Sequence, residues 1–215
     1  MSVAVCTRIA AGLVAVSLAV GTAGCGKTSR TGRGSSYLVI TSVQAASGAD
    51  PNKLGSTLSS DVVTYIKDPL DATRRIPTVY SDPGSVSMRL GMKDVGAPGV
   101  GVTPSPNNAI TINRYRVDYR RSDGRNTPGV DVPYGFDGAV TFTVSSTESS
   151  VDAGFMLVRI QAKEEAPLKA LAGGGGALAI TTLADVTFYG KDQAGNDVAV
   201  TGTIEVDFAD WADPS

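Results

Sequence analysis

The feature that most constrains the fold is a two-residue alternation of apolar and polar side chains, which recurs in several segments. In residues 86–93 every second side chain is Val, Met or Leu, and residues 140–145 and 197–208 repeat the pattern. Successive side chains of a strand point to opposite faces, so this period predicts strands with one buried face. Clusters of Gly, Pro, Asn and Asp separate further predicted strands at 37–45, 57–66, 110–121, 155–161 and 183–191. About eight short strands with such turns favour a sandwich or a barrel.

Composition excludes several functional classes. The 215 residues contain no His and two Cys, with 19 basic and 21 acidic side chains. Without His there can be no Ser-His-Asp or Cys-His catalysis and no His-ligated metal site. Because the net charge is near zero, we do not expect a strongly basic nucleic-acid-binding protein. The length suits one domain, or at most two small ones.

The N-terminus has the pattern of a secretory signal peptide. Arg8 is followed by the apolar run 9–20 and then by small residues. A positive start, a short apolar core and a small-residue cleavage site are typical of such signals, and twelve residues are too few to span a bilayer, which needs about 20. We therefore predict that residues 1–24 are removed.

The end of this segment, Thr22-Ala23-Gly24-Cys25, resembles the lipobox of bacterial lipoproteins, in which Leu usually stands where Thr22 does. The resemblance implies that Cys25 becomes the first mature residue and carries a diacylglycerol, which anchors the chain to the outside of a membrane. Cys25 as an ordinary cysteine after a cleaved signal is the alternative. In the best-known sorting rule of the family, an Asp after the Cys retains the protein at the inner membrane. Gly26 in that place implies the outer membrane, where the host has one.

Residues 25–36 form the lipidated Cys and a tether of Gly, Ser, Thr and basic residues, which precedes the domain 37–215. A tether of this composition is a flexible coil. Its basic residues have two possible roles: they could be drawn to anionic headgroups, or they could simply keep a spacer soluble. They are Lys27, Arg30 and Arg33.

The segment Gly21–Thr28 also matches the phosphate-binding pattern G-x-x-x-x-G-K-[ST]. That loop must open a helix whose N-terminus helps to hold the phosphates. Residues 29–36 have no helical periodicity. We therefore predict no nucleotide binding and no cofactor.

Near the C-terminus, the turn sequence Asp192-Gln193-Ala194-Gly195-Asn196 lies between two predicted strands. Gly tolerates positive φ, and Asp can accept hydrogen bonds from turn amides. The motif resembles the last hairpin of bacterial Ig-like and hyalin-repeat modules. It implies an all-β, Ig-like antiparallel β-sandwich, with the Pro- and Gly-rich stretches 67–85 and 94–109 as long loops. A helical turn is predicted at 166–171, where a Pro stands near the start and a Gly just after the end.

The strand 110–121 is the main candidate for a ligand surface. Alternation places its aromatic residues on one face and Arg114, Arg116 and Arg120 on the other. Arginine forks suit carboxylates, phosphates and sulfated sugars. The alternative is a charged solvent face that discourages edge-to-edge pairing of strands. The loop aromatics Tyr134 and Phe136 could add to a glycan site.

The acidic clusters 192–197 and 207–213 have no calcium-loop spacing, and we predict no metal site. No Ser stands three residues before a Lys, so a Ser-Lys nucleophile is not indicated, and we predict no enzyme. The leading expectation is a non-catalytic interaction or structural module of the cell envelope, with an envelope protein or polymer as partner. The alternatives are a binding module for a glycan or another anionic polymer, and a hydrolase of unrecognised type.

Overall fold

The computed structural model describes residues 34–71, 73–94, 96 and 103–211. They form ten strands: β1 (Ser36–Ala45), β2 (Thr57–Asp61), β3 (Thr64–Lys67), β4 (Arg75–Thr78), β5 (Asp82–Met92), β6 (Ile110–Arg120), β7 (Phe136–Val144), β8 (Val151–Val158), β9 (Ile180–Asp192) and β10 (Asp197–Ala209). The helical elements are one short helix, α1 (Ile160–Glu164), and the 3₁₀ turns Pro106–Asn108 and Leu168–Leu171. Within this part of the chain, no helix is long and apolar enough to cross a bilayer.

The strands form two packed sheets and a small hairpin. The larger sheet has the order β2-β10-β9-β6-β7, the smaller has β1-β5-β8, and β3 pairs with β4. This arrangement matches the immunoglobulin fold, in which strands A, B and E share one sheet and strands C, F and G share the other. Here β1, β5 and β8 correspond to A, B and E, and β6, β9 and β10 correspond to C, F and G. The fold is therefore the predicted Ig-like β-sandwich. Its sheets are antiparallel except where β2 pairs in parallel with β10.

One apolar core lies between the sheets. Val86, Met88 and Leu90 of β5 are fully buried, and Phe188 and Phe208 face them from the larger sheet. The alternation in β5 and in the second half of β10 is thus confirmed as the inward face of strands. Each such side chain contributes about 1.5–3 kcal/mol when it is removed from water, so these rows hold the two sheets together.

The structure corrects four details of the strand prediction. The segment 57–66 is not one strand, because β2 pairs with β10 while β3 turns away to pair with β4. The stretch 67–85 is not a long loop, since it contains β4 and the start of β5. The predicted strand 155–161 ends at Val158, where α1 follows. The predicted helical turn is a 3₁₀ turn that starts at Leu168.

The last hairpin forms as the sequence predicted. β9 and β10 pair along their whole length, from Lys191 opposite Asp197 to Ile180 opposite Phe208. Gly195 has a φ of +84°, which a residue with a side chain rarely adopts. Asp192 accepts hydrogen bonds from the Ala194 and Asn196 amides at 3.0 and 2.8 Å. The turn chemistry therefore sets the register of the two longest strands.

The sandwich has two ends, which the strand directions define. The tether end contains the start of β1 and the 193–196 turn. There the hydroxyl of Ser36, the first residue of β1, donates a hydrogen bond to the Asn108 carbonyl. At the distal end, β5 begins, and β8 and β10 finish. The thirteen-residue strands β9 and β10 separate the ends by about 40 Å at roughly 3.3 Å per residue. The predicted tether joins the domain at the tether end.

Candidate functional site

The predicted arginine strand is β6, and its two faces are as expected. Tyr115, Val117 and Tyr119 are buried in the core, and Arg114 and Arg120 are exposed on the outer face of the larger sheet. Arg116 lies beside them, half-buried. A shift of register between Ile112 and Arg114, at a bulge, brings the buried positions into phase with β9.

Aspartates pair with all three arginines. Arg114 and Arg116 each donate to one oxygen of Asp137 on β7, at 2.8 and 2.9 Å. Arg116 also binds Asp118 through two parallel hydrogen bonds of 2.8 Å. Asp118, followed by Asp137, raises the pKa of Arg116. The arginines on this part of the sheet are therefore already compensated.

The third arginine is held from β9. Arg120 Nε donates to Asp185 Oδ2 at 2.5 Å, and Thr203 of β10 donates to Oδ1 of the same carboxylate at 2.6 Å. Burial opposes ionisation of Asp185, but these hydrogen bonds outweigh it and lower the pKa. The three arginines therefore do not present the unpaired cations that the ligand-surface hypothesis requires.

Around these pairs the outer face carries threonine hydroxyl groups and the ring of Tyr189. Thr111 and Thr143 lie 3.0 Å apart across β6 and β7, and Thr187 and Thr201 lie 2.9 Å apart across β9 and β10. The guanidinium of Arg114 stacks on Tyr189 at 4.1 Å from the ring centroid. We call the outward side of β10, β9, β6 and β7 the sheet face.

The two loop aromatics have different environments. Phe136 is 6% exposed and packs edge-on against Tyr115, so it cannot serve as a glycan platform. Tyr134 is 55% exposed at the distal end. Its ring lies over Gly129, where an added Cβ would come within 2.3 Å of the tyrosine oxygen. With a φ of +77°, Gly129 both turns the loop and makes room for that ring.

Tyr134 borders a cleft of about 210 Å³ at the distal end, which we call the distal cleft. Its other lining residues are Pro133, Arg159, Gln161, Ala162, Glu165 and Ala166. Arg159 stacks on the ring of Phe136 at 4.1 Å. Its Nε is shut off from solvent without a hydrogen-bond partner, and no carboxylate in the described ranges pairs with it. The cleft thus holds an arginine that no carboxylate of the described residues compensates.

A buried ion pair anchors α1, which contributes lining residues to this cleft. Lys163, in α1 between the cleft residues Gln161 and Glu165, donates to Asp82 at 2.9 Å, and both side chains are at most 1% exposed. Ser60 donates to the same carboxylate at 2.6 Å. Burial lowers the pKa of Lys163, while Asp82 opposes that change. Although Ser, Lys and Asp meet here, no solvent reaches them, so the group has the geometry of a structural clamp.

Three aspartates of the predicted acidic clusters accept hydrogen bonds within the fold, while Asp213 lies outside the described residues. Asp192 caps its own turn, Asp207 accepts from Thr181 at 2.6 Å, and Asp210 accepts from the Gly173 amide at 2.7 Å. Hydrogen bonding to Asn196 lowers the pKa of Asp192. In the portion of the chain covered by the structure, no group of three or more potential ligands is placed to hold a metal ion.

Cys25, the Gly21–Thr28 pattern and the tether cations lie outside the described residues. Comparison with known proteins adds no assignment: no protein-family model, no curated protein and no solved structure matches the chain. The function must therefore be argued from the sheet face and the distal cleft.

Proposed function

We propose that the protein is a lipid-anchored, extracytoplasmic protein of the bacterial envelope whose sandwich is a non-catalytic interaction module. In this proposal Cys25 attaches the chain to the outer membrane, where the host has one. The sheet face receives a protein partner. The observation that carries the proposal is the ordered, charge-compensated state of Arg114, Arg116 and Arg120 on that face.

Paired arginines favour a protein partner over an anionic polymer. A polymer with repeated negative charges is attracted by unpaired cations, and here each guanidinium already faces a carboxylate at 2.5–2.9 Å. Arg and Tyr, in contrast, are enriched at protein interfaces. Side chains held by neighbours, as Arg114 is by Asp137 and Tyr189, lose less freedom on binding.

The size of the sheet face suits the same role. Its four long strands contain 9 to 13 residues, and strands lie about 4.8 Å apart with roughly 3.3 Å per residue. The face therefore measures about 19 by 30 Å, or on the order of 600 Å². A stable interface of standard size buries about 800 Å² on each partner, so one protein can cover this face.

Native complex size tests the surface. We expect the mature protein, extracted from its own membranes in mild detergent, to migrate in a larger complex than the same protein purified alone in the same detergent. Thr201→Arg, at an exposed position of β10, should release the single chain. The matched control Thr41→Arg lies at an exposed position of β1, on the other sheet, and should leave the complex intact. A wild-type chain that migrates alone, or equal effects of the two variants, would contradict the proposal.

A further inference from the structure

We propose that the distal cleft is a binding site for a saccharide unit that carries a carboxylate. This inference is independent of the proposed partner surface, because the cleft lies at the end of the sandwich and outside the sheet face. It starts from Arg159, which lines the cleft and has no acidic partner in the described ranges.

Arg159 differs in this from the arginines of the sheet face. Arg114, Arg116 and Arg120 have carboxylates within 3 Å, whereas Arg159 is held by the face of Phe136 and keeps a buried Nε without a partner. A stack on an aromatic ring orients the guanidinium and leaves its edge N–H groups available. The planar fork of such an edge matches a carboxylate through two parallel hydrogen bonds.

The other lining residues favour a sugar acid over a simple anion. Glu165 lines the same cleft, and its negative charge opposes a phosphate, which carries up to two charges, more strongly than a singly charged carboxylate. Its carboxylate can also accept hydrogen bonds from sugar hydroxyl groups. Gln161 offers both a donor and an acceptor. Tyr134 presents an exposed ring that is braced from behind by Gly129. One cation, one hydroxyl acceptor and one aromatic platform together describe a ligand with a carboxylate, hydroxyl groups and an apolar ring face.

The volume limits the ligand to a small unit. The cleft measures about 210 Å³, below the roughly 300–1,000 Å³ of pockets for drug-sized ligands. We therefore infer that it holds a single ring, either at the end of a saccharide chain or as one exposed unit. The predicted tether joins the opposite end of the sandwich, so an anchored molecule would present the cleft away from its own attachment point.

The test is calorimetric titration of the full chain in detergent micelles with glucuronate, with glucose as the uncharged match, and with inorganic phosphate. We expect glucuronate to bind at least tenfold more tightly than glucose and than phosphate. Arg159→Gln should weaken glucuronate binding about 10- to 100-fold, the range for a lost hydrogen bond to a charged group, and leave glucose nearly unchanged. Arg159→Lys should lose several-fold, because the charge remains but the fork is gone.

Two further variants keep the test decisive if Arg159→Gln unfolds. Tyr134→Ala removes an exposed ring and should weaken glucuronate and glucose by a similar factor, with an unchanged melting temperature. Arg125→Gln removes a distal-end arginine that is paired with Asp123 and should have no effect. Equal affinity for glucuronate and glucose, tighter binding of phosphate, or equal losses in Arg125→Gln and Arg159→Gln would each overturn the proposal.

Discussion

Replacing Lys163 by Met should destabilise the protein severely, and the size of the loss follows from burial. Lys163 and Asp82 have side chains that are 1% and 0% exposed, with their charges 2.9 Å apart. Met fills about the same space but leaves the carboxylate of Asp82 buried without its cation. Removing one partner of a buried pair costs about 3–5 kcal/mol. For a domain of this size, each kcal/mol lowers the melting temperature by about 2–4 °C, so we expect a fall of roughly 6–20 °C.

The assay is thermal and urea unfolding of the full chain, with Lys169→Met as the matched control. Lys169 lies six residues further along and is exposed, so its loss should change the free energy of unfolding by no more than about 0.5 kcal/mol. The double variant Asp82→Asn/Lys163→Met removes both charges and should recover much of the stability, with a coupling energy of about 2 kcal/mol or more. A Lys163→Met variant within about 1 kcal/mol of wild type, or additive effects in the double variant, would refute the clamp.

Three further predictions address the anchor, the sheet face and the phosphate-loop pattern. Cys25→Ala should move the protein from the membrane fraction, and from the outer membrane where one exists, to the soluble fraction; firm retention would contradict lipidation. Asp185→Asn should lower the free energy of unfolding by up to about 1 kcal/mol at pH 6. Because the pKa of Asp185 is lowered in the folded state, this difference from wild type should shrink as the pH falls below about 4. Urea unfolding between pH 6 and 2 measures the difference, and a pH-independent difference would count against the pairing. ATP should not raise the melting temperature, and Lys27→Ala should not change it; stabilisation by ATP that this substitution abolishes would restore the phosphate-loop interpretation.

The sequence was sufficient for those features that depend on neighbours along the chain. The faces of β6 follow from alternation, and the 193–196 turn follows from the chemistry of Asp192 and Gly195. The division of 57–66 into β2 and β3 could not be predicted, because it depends on which distant strand each half pairs with. Local pattern therefore predicted the elements, while pairing decided their ends.

The side-chain pairs of the candidate site escaped prediction for the same reason. Arg120 meets Asp185 across 65 residues of sequence, and Lys163 meets Asp82 across 81. The sequence prediction extended a strand through Arg159 to residue 161, so it missed α1, which begins at Ile160, and the distal cleft beside it. No sequence signal marks Lys163, because it is followed directly by Glu164 and Glu165, and such a charged stretch predicts an exposed side chain.

The central claim, that the sheet face receives a protein partner, is tested most directly by site-specific photo-crosslinking in intact cells. A photoreactive phenylalanine at Thr201 lies on that face, and the same residue at Thr41 lies at an exposed position of the other sheet. We predict that light produces one discrete protein adduct from Thr201 and none from Thr41. The same adduct from both positions, or none from Thr201 while the protein remains folded and membrane-bound, would contradict the claim.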